Sequence, residues 1–525
     1  MATLQELLKN NEYEKIWDKY CGFLDLSIEE FMQIQERLLM EQIEILSNSK
    51  IGKKIMGEGV KPTSIEEFRK TVPLTTYEDY ADILLEKKVD ALPIDPQYWI
   101  KTTWKGGTHD TKLAPYSKEM IDEHTKSFIA SLILSTSKRR GHFDVRVFDK
   151  FLYGMAPLPY LTGLVPHALQ NEIEFTYLPS LKEAETLGFR ERNKVGFELA
   201  LNNGVDFFFG LSSVLVKIGE DFMKGPDSKN KTKTKIRPSN LRMIGRFAKA
   251  FVKNKIFNKP LLPKDLFKFK GIICAGTDTR AFKDKIERLW GTKPLELFGG
   301  TEIATVGVES WRRNGLTFFP DVNFLEFIPE AESKRSLYDQ TYIPTTVLLN
   351  ELEPGKRYEL VTTKFRGGVF ARYRVGDMIE CVSTNDSLHG INLPQFNYVD
   401  RISNVIDLAG FTRITEGTIE QAFQLSDLKV NDWIACKEYE NNEPILNLYL
   451  ETDQTDNLKE QTLKDIVHRH LKELDSDYRD IESLLGRDPL KLTVLESGTF
   501  KAYKENNGTM IKINPSREAV NKLVG

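Results

Sequence analysis

In the first fifty residues apolar positions recur every three or four places, at Ile28, Phe31, Ile34, Leu38 and Ile45, with Gln42 in the same register. That spacing lays them along one stripe and predicts a long amphipathic helix, opened by Ser27 with Glu30 three places on in the pattern of a capping box. A second helix is signalled by Thr63 or Ser64 ahead of IEEFRK and stops at Val72, because a residue before proline is pushed out of the helical region. Further on, short runs rich in β-branched and aromatic residues read as strands at 145–153, 271–275, 295–298, 324–328, 357–362 and 445–451. Amphipathic stretches such as 280–290 follow several of them, and the alternation predicts an α/β fold with large sheets flanked by helices. No fixed-period repeat is present.

Composition narrows the class. A chain of 525 residues has material for two to four domains at roughly 150 residues each. With 40% apolar residues, 28% charged and a formal charge of −3, it reads neither as disordered nor as a globally basic nucleic-acid binder. Cys21, Cys274, Cys381 and Cys436 lie too far apart for a zinc pattern, a C-x-x-C motif or a disulfide framework, so a reducing, cytoplasmic setting is expected. Neither a secretion signal nor an 18-residue apolar run is read, and no membrane partner is expected. The stretch 229–259 holds eleven Lys or Arg and no acid. It fits a solvated linker and helix face, or the docking of an acidic partner such as a carrier protein or a phosphorylated ligand. Near 400, Asp400-Arg401 precedes a strand-like NVIDLAG and a helix-like TEGTIEQAF. A large domain over 1–399 and a smaller α+β domain over 400–525 are therefore expected.

Three segments carry candidate chemistry. Phe298-Gly299-Gly300-Thr301-Glu302 follows a strand: two glycines allow close backbone approach, Thr301 offers a hydroxyl, and Glu302 offers a hard oxygen ligand suited to magnesium. The same residues also fit an ordinary turn with an exposed acid. In Arg372-Tyr373-Arg374-Val375-Gly376-Asp377 the arginines can pair with phosphate or carboxylate, and Asp377 can accept hydrogen bonds from both hydroxyls of a ribose. A strand end with a structural ion pair is the alternative. In KTTWKGGTHDTKLAP, 101–115, small hydroxyl residues and glycines resemble a loop that wraps phosphates, with Lys112 as its charge.

The order of these segments resembles the acyl-adenylate-forming superfamily, and within it the auxin-responsive acyl-acid amido synthetases of plants and bacteria. The resemblance extends over nearly the whole chain, through FMQIQERLLMEQIEIL, SIEEFRKTVPLTTYEDYADIL, APLPYLTG at 156–163, VFARYRVGD at 369–377 and SGTF at 497–500, followed by Lys512 and Pro515. It implies an ATP- and magnesium-dependent ligase with a mobile C-terminal domain, joining a carboxylic acid to an amine, in this reading an amino acid, through acyl-AMP. By the same resemblance Glu302 holds magnesium, Asp377 the ribose, Gly300 and Thr301 the adenine and α-phosphate side, and Phe298, Gly299 and Lys112 belong to the nucleotide site. Ala275, Gly276 and Thr277 match the segment packed on adenine, and Arg401 the arginine after the hinge. Tyr160, Thr162, Phe207 and Ser212 fall in stretches that line the acyl pocket. Lys512 matches the mobile lysine of adenylation, with Lys504 as its rival. One departure stands out: Trp104, Lys105, His109 and Asp110 interrupt the family's phosphate loop, placing a negative charge beside the departing pyrophosphate. Two rival readings follow, a thioester-forming ligase acting on coenzyme A or a carrier protein at 229–259, and a binding protein whose phosphate loop has decayed.

Overall fold

The computed structural model describes residues 2–102, 111–224, 241–257, 261–339, 341–402, 405–409, 412–426, 428–440, 443–452, 459–508 and 510–525. The first long helix runs Ile28–Ser47, and Ser27 and Glu30 form the reciprocal capping box. Gln42 sits on its buried stripe for a polar reason: its carboxamide accepts from the Gly367 N–H and donates to the Gly368 carbonyl, fastening the helix to a turn of the sheet. The second helix is Ile65–Thr71, capped by Ser64 and ended ahead of Pro73.

An 11-stranded sheet forms the body. Five strands are parallel, in the order Leu295–Gly300, Gly271–Ala275, Phe207–Leu211, Lys150–Tyr153 and Thr176–Leu178. From Leu295–Gly300 outward the pairing turns antiparallel, through Ala304–Glu309, Leu316–Phe318, Gln395–Arg401, Tyr373–Ser383, Arg357–Lys364 and Asn323–Pro329. The strand expected over 145–153 is only Lys150–Tyr153. Ahead of it Phe148 takes a positive φ, and the Asp149 carboxylate accepts from the Arg146 N–H, which turns the chain before pairing begins. Helix Thr279–Trp290 then follows strand Gly271–Ala275 as the α/β alternation requires.

After Arg401 the chain leaves this sheet. Val405–Leu408 pairs with Thr412–Thr415, and a separate three-stranded sheet is built from Val430–Glu440, Glu443–Thr452 and Leu490–Leu495. Helices Glu416–Leu425, Glu460–Leu474 and Ser476–Leu485 close an independent core around Ile406, Trp433, Leu448, Val467 and Tyr478. Among the described residues no helix is long and apolar enough to cross a membrane.

Candidate active site

Parallel strands end together at one edge of a sheet, and ligands bind in the crevice outside their carboxyl ends where the topology switches. Here the strand Leu295–Gly300 is the last of the parallel set, parallel to one neighbour and antiparallel to the other. Its carboxyl end delivers Gly299, Gly300, Thr301 and Glu302, its neighbour delivers Ala275, Gly276 and Thr277, and the next strand delivers Ser212. Gly299 is required by close approach, since a Cβ there would lie 2.2 Å from the Ala304 carbonyl oxygen. Gly276 has a φ of 121°, a backbone that side-chain-bearing residues rarely adopt.

Three groups meet at this edge. Lys112 Nζ lies 3.3 Å from Glu302 Oε1, Tyr373 OH donates to the same oxygen at 3.0 Å, and Lys112 Nζ donates to Tyr373 OH at 3.2 Å. Lys112 also sits 5.0 Å from the centre of the Tyr77 ring. Burial opposes a charge on Glu302, yet Lys112 and Arg401 together hold its carboxyl below the ordinary range. Burial conversely draws the Lys112 ammonium down, against the pull of Glu302, and pushes the Tyr373 phenol well up. The Thr301 carbonyl is anchored by Tyr116 OH at 2.8 Å, which fixes the turn that carries Glu302.

Beside this group Asp377 and Arg401 are register partners on adjacent strands, with 3.4 Å between Oδ1 and Nη1. Burial raises the Asp377 carboxyl while Arg401 and Arg413 pull it back. Thr277 Oγ1 donates to Asp407 at 2.9 Å, and Arg413 pairs with the other Asp407 oxygen at 3.0 Å. Among the described residues, Asp377 Oδ1 and the hydroxyl of Tyr398 are buried without a hydrogen-bond partner. A pair of ribose hydroxyls would supply the missing donors, so the residues present fit a nucleotide. Magnesium is commonly held by one or two carboxylates together with substrate phosphates, and the ionised Glu302 fits that need. Among the described residues no cluster of three or more metal-ligating side chains occurs.

The other predicted residues lie elsewhere. Phe298 packs beneath the edge against Phe318 and Tyr398. Tyr160 caps helix Leu161–Leu169, and Thr162 donates to the Ala156 carbonyl at 3.0 Å. Ser212 accepts from Thr279 at 3.4 Å. Phe207 begins its strand at the far end and packs on Phe151 and Phe175, so the fold does not bring it to this edge. Lys512 pairs with Glu420 at 3.0 Å and lies over the Trp433 ring, both in the C-terminal unit, and Lys504 pairs with Asp432 at 2.6 Å. Trp104, Lys105, His109, Asp110 and Gly410 lie outside the described residues, as does much of 229–259. Sequence reading passed over Tyr373, Tyr398, Asp407 and Arg413. Only Tyr373 had a usable signal, because alternation along a strand places it on the same face as Asp377.

Two family models match, the GH3 family N-terminal domain over 21–153 and the GH3 family central domain over 316–401. Over those two spans the chain is similar to the GH3 family. Those two spans contain the 72–80 segment and the strand around Tyr373, which touch: Thr75 N–H donates to the Arg372 carbonyl at 2.9 Å and Arg374 N–H to the Thr75 carbonyl at 2.8 Å. A search of curated proteins gives no match. Among solved structures, the AtGH3.15 acyl acid amido synthetase in complex with 2,4-DB aligns at a TM-score of 0.50 and 16% identity, over 94% of this chain and 93% of that one. A 2-hydroxyisobutyryl-CoA ligase in complex with 2-HIB-AMP and CoA aligns at a TM-score of 0.54 and 14% identity, over 92% and 93%. At such identities the likeness is one of fold, a two-domain adenylate-forming architecture.

Proposed function

We propose that this chain is an ATP- and magnesium-dependent ligase that activates a carboxylic acid as acyl-AMP and passes the acyl group to an amine, an amino acid. The observation that carries the reading is the meeting of Lys112, Glu302 and Tyr373 with the Asp377–Arg401 pair at the carboxyl edge of the parallel strands. In this reading Asp377 holds the ribose, and Ala275, Gly276 and Thr277 border the base. Glu302 would hold magnesium, which when bound neutralises phosphate charge. Lys112 and Arg401 add two fixed cations to the edge, where the substrate carboxylate meets the α-phosphorus and pyrophosphate departs. Stabilisation of developing charge by preorganised groups is the main contribution such a site makes to rate.

The chain would divide near Asp400 into a large nucleotide- and acid-binding domain and a smaller mobile one carrying Lys512. Adenylation then needs an orientation other than the one described, because Lys512 here faces Glu416 and Glu420. The deciding test is pyrophosphate release over a panel of carboxylic acids, with amino acids, coenzyme A or a carrier protein as acceptor. Amide formation supports the reading; thioester formation alone would replace the acceptor, and no release with any acid would refute the ligase. Lys512→Ala is expected to abolish acyl-AMP formation and spare amide formation from supplied acyl-AMP; equal loss in both assays would remove it from the first step.

A further inference from the structure

Asp278 occupies the N-cap of helix Thr279–Trp290, where an aspartate ordinarily accepts a hydrogen bond from the first turn. It makes no such side-chain bond. Its carboxylate instead reaches the C-terminal unit: Lys437 Nζ lies 2.7 Å away and Tyr439 OH donates to the same oxygen. Both members of the ion pair are sealed from water, with 3% of the Lys437 side chain exposed and 1% of that of Asp278. Three further contacts surround it. Thr277 donates to Asp407, Ser213 Oγ to the Ala409 carbonyl at 3.3 Å, and Lys285 Nζ lies 3.4 Å from Glu443.

A buried pair whose partners come from separate cores is sensitive to geometry, since removing one member strands the other in a low-dielectric setting. A pair of this kind therefore holds one orientation of the two units and disfavours the rest. In the orientation it holds, Lys437 faces the turn that follows strand Gly271–Ala275, while Lys512 is turned to its own domain.

We infer that Asp278 and Lys437 are positioning residues, a catch that holds the C-terminal unit in the orientation for acyl transfer, with Lys512 withdrawn. The inference rests on the ligase reading only for what the held orientation does; that the pair holds it is tested without any substrate. Spin labels at Lys70→Cys and Lys501→Cys, both exposed helical positions, report the distance between the units, since the native cysteines are all buried. One narrow distance population is expected in the parent, a second population in Asp278→Asn and Lys437→Ala, and a return to one in Lys437→Arg. Tyr439→Phe, which removes a single hydroxyl, is expected to fall between and serves if the stronger variants fail to fold. Unchanged distances in the variants that fold would overturn the catch. With an acid found active in the screen, Lys437→Ala should slow amide formation from supplied acyl-AMP at least tenfold and leave pyrophosphate exchange intact. Equal loss in both half-reactions would overturn the role in transfer. A parent without adenylation would refute the ligase reading and leave the distance result to decide the catch.

Discussion

The strand Tyr373–Ser383 and the residue before it serve two regions that handle charge in opposite ways. On one face Arg372 is saturated: its Nε and Nη2 donate to the two oxygens of buried Glu326 at 3.1 and 2.9 Å, and its Nη1 to the Arg69 and Val72 carbonyls. Arg374 is matched in the same way by Glu359 at 2.8 and 2.6 Å. On the other face, Tyr373 and Asp377 look onto the candidate site, where Asp377 Oδ1 lacks a hydrogen-bond partner among the described residues. A buried network with every lone pair matched rigidifies a fold, whereas one with acceptors left over is arranged around something else. The arginines that looked suited to phosphate thus belong to the structural ion pairs, and the tyrosine between them belongs to the site.

Four measurements would sharpen or break that contrast. Arg372→Ala should be the most damaging to stability, by about 4 kcal/mol in denaturant unfolding, because Glu326 is left buried and uncompensated. A loss under about 1 kcal/mol would show that the saturated face is not structural. Lys364, on the neighbouring strand, is buried and donates to the Val322 carbonyl at 3.3 Å. Burial pulls its ammonium down to about 7 from an ordinary 10.5. The folded state then releases a proton that the unfolded chain still holds, so stability should rise with pH across that window, by about 2 kcal/mol between pH 7 and 9. Lys364→Met should flatten the rise relative to the parent, and identical pH profiles would assign the lysine an ordinary titration.

At the other face the effects should appear in function. Glu302→Ala is expected to lower pyrophosphate exchange roughly a hundredfold, the consequence of losing about 3 kcal/mol of charge stabilisation. Undiminished exchange would exclude Glu302 from the reaction. The smallest effect belongs to Asp377→Ala, which should weaken ATP binding about tenfold in calorimetric titration, the worth of one or two hydrogen bonds to a charged acceptor. An unchanged affinity would leave that oxygen without a nucleotide.

How much of this was legible depended on whether the signal was local. The capping box at Ser27 and Glu30, the proline stop at Val72, the strand Gly271–Ala275 and the Gly-Gly-Thr-Glu turn follow from short-range sterics and hydrogen bonding, and all stand where the pattern puts them. Ionic partnerships were not legible in this way. Nothing near Arg372 in sequence marks Glu326, 46 residues away, as its partner, or separates it from an arginine waiting for phosphate. Phe207 illustrates the same limit from the other side. It was placed in the acyl pocket by resemblance alone, and its distance from the edge depends on which end of the strand points there.

By itself the amino-acid sequence determined the type and extent of most elements, the alternation that sends Arg372 and Arg374 one way and Tyr373 and Asp377 the other, and the motif order that marks the family. Those properties depend on the period of the backbone and on neighbours a few residues apart. Only the tertiary structure decided that the Thr75 segment would pair with the strand carrying Tyr373, that Lys112 and Glu302, 190 residues apart, would meet, and that Asp278 would leave its own helix to bind Lys437. Each of those contacts is set by the register and order of strands in a sheet. A shift of one residue in register would turn the same side chains to the opposite face.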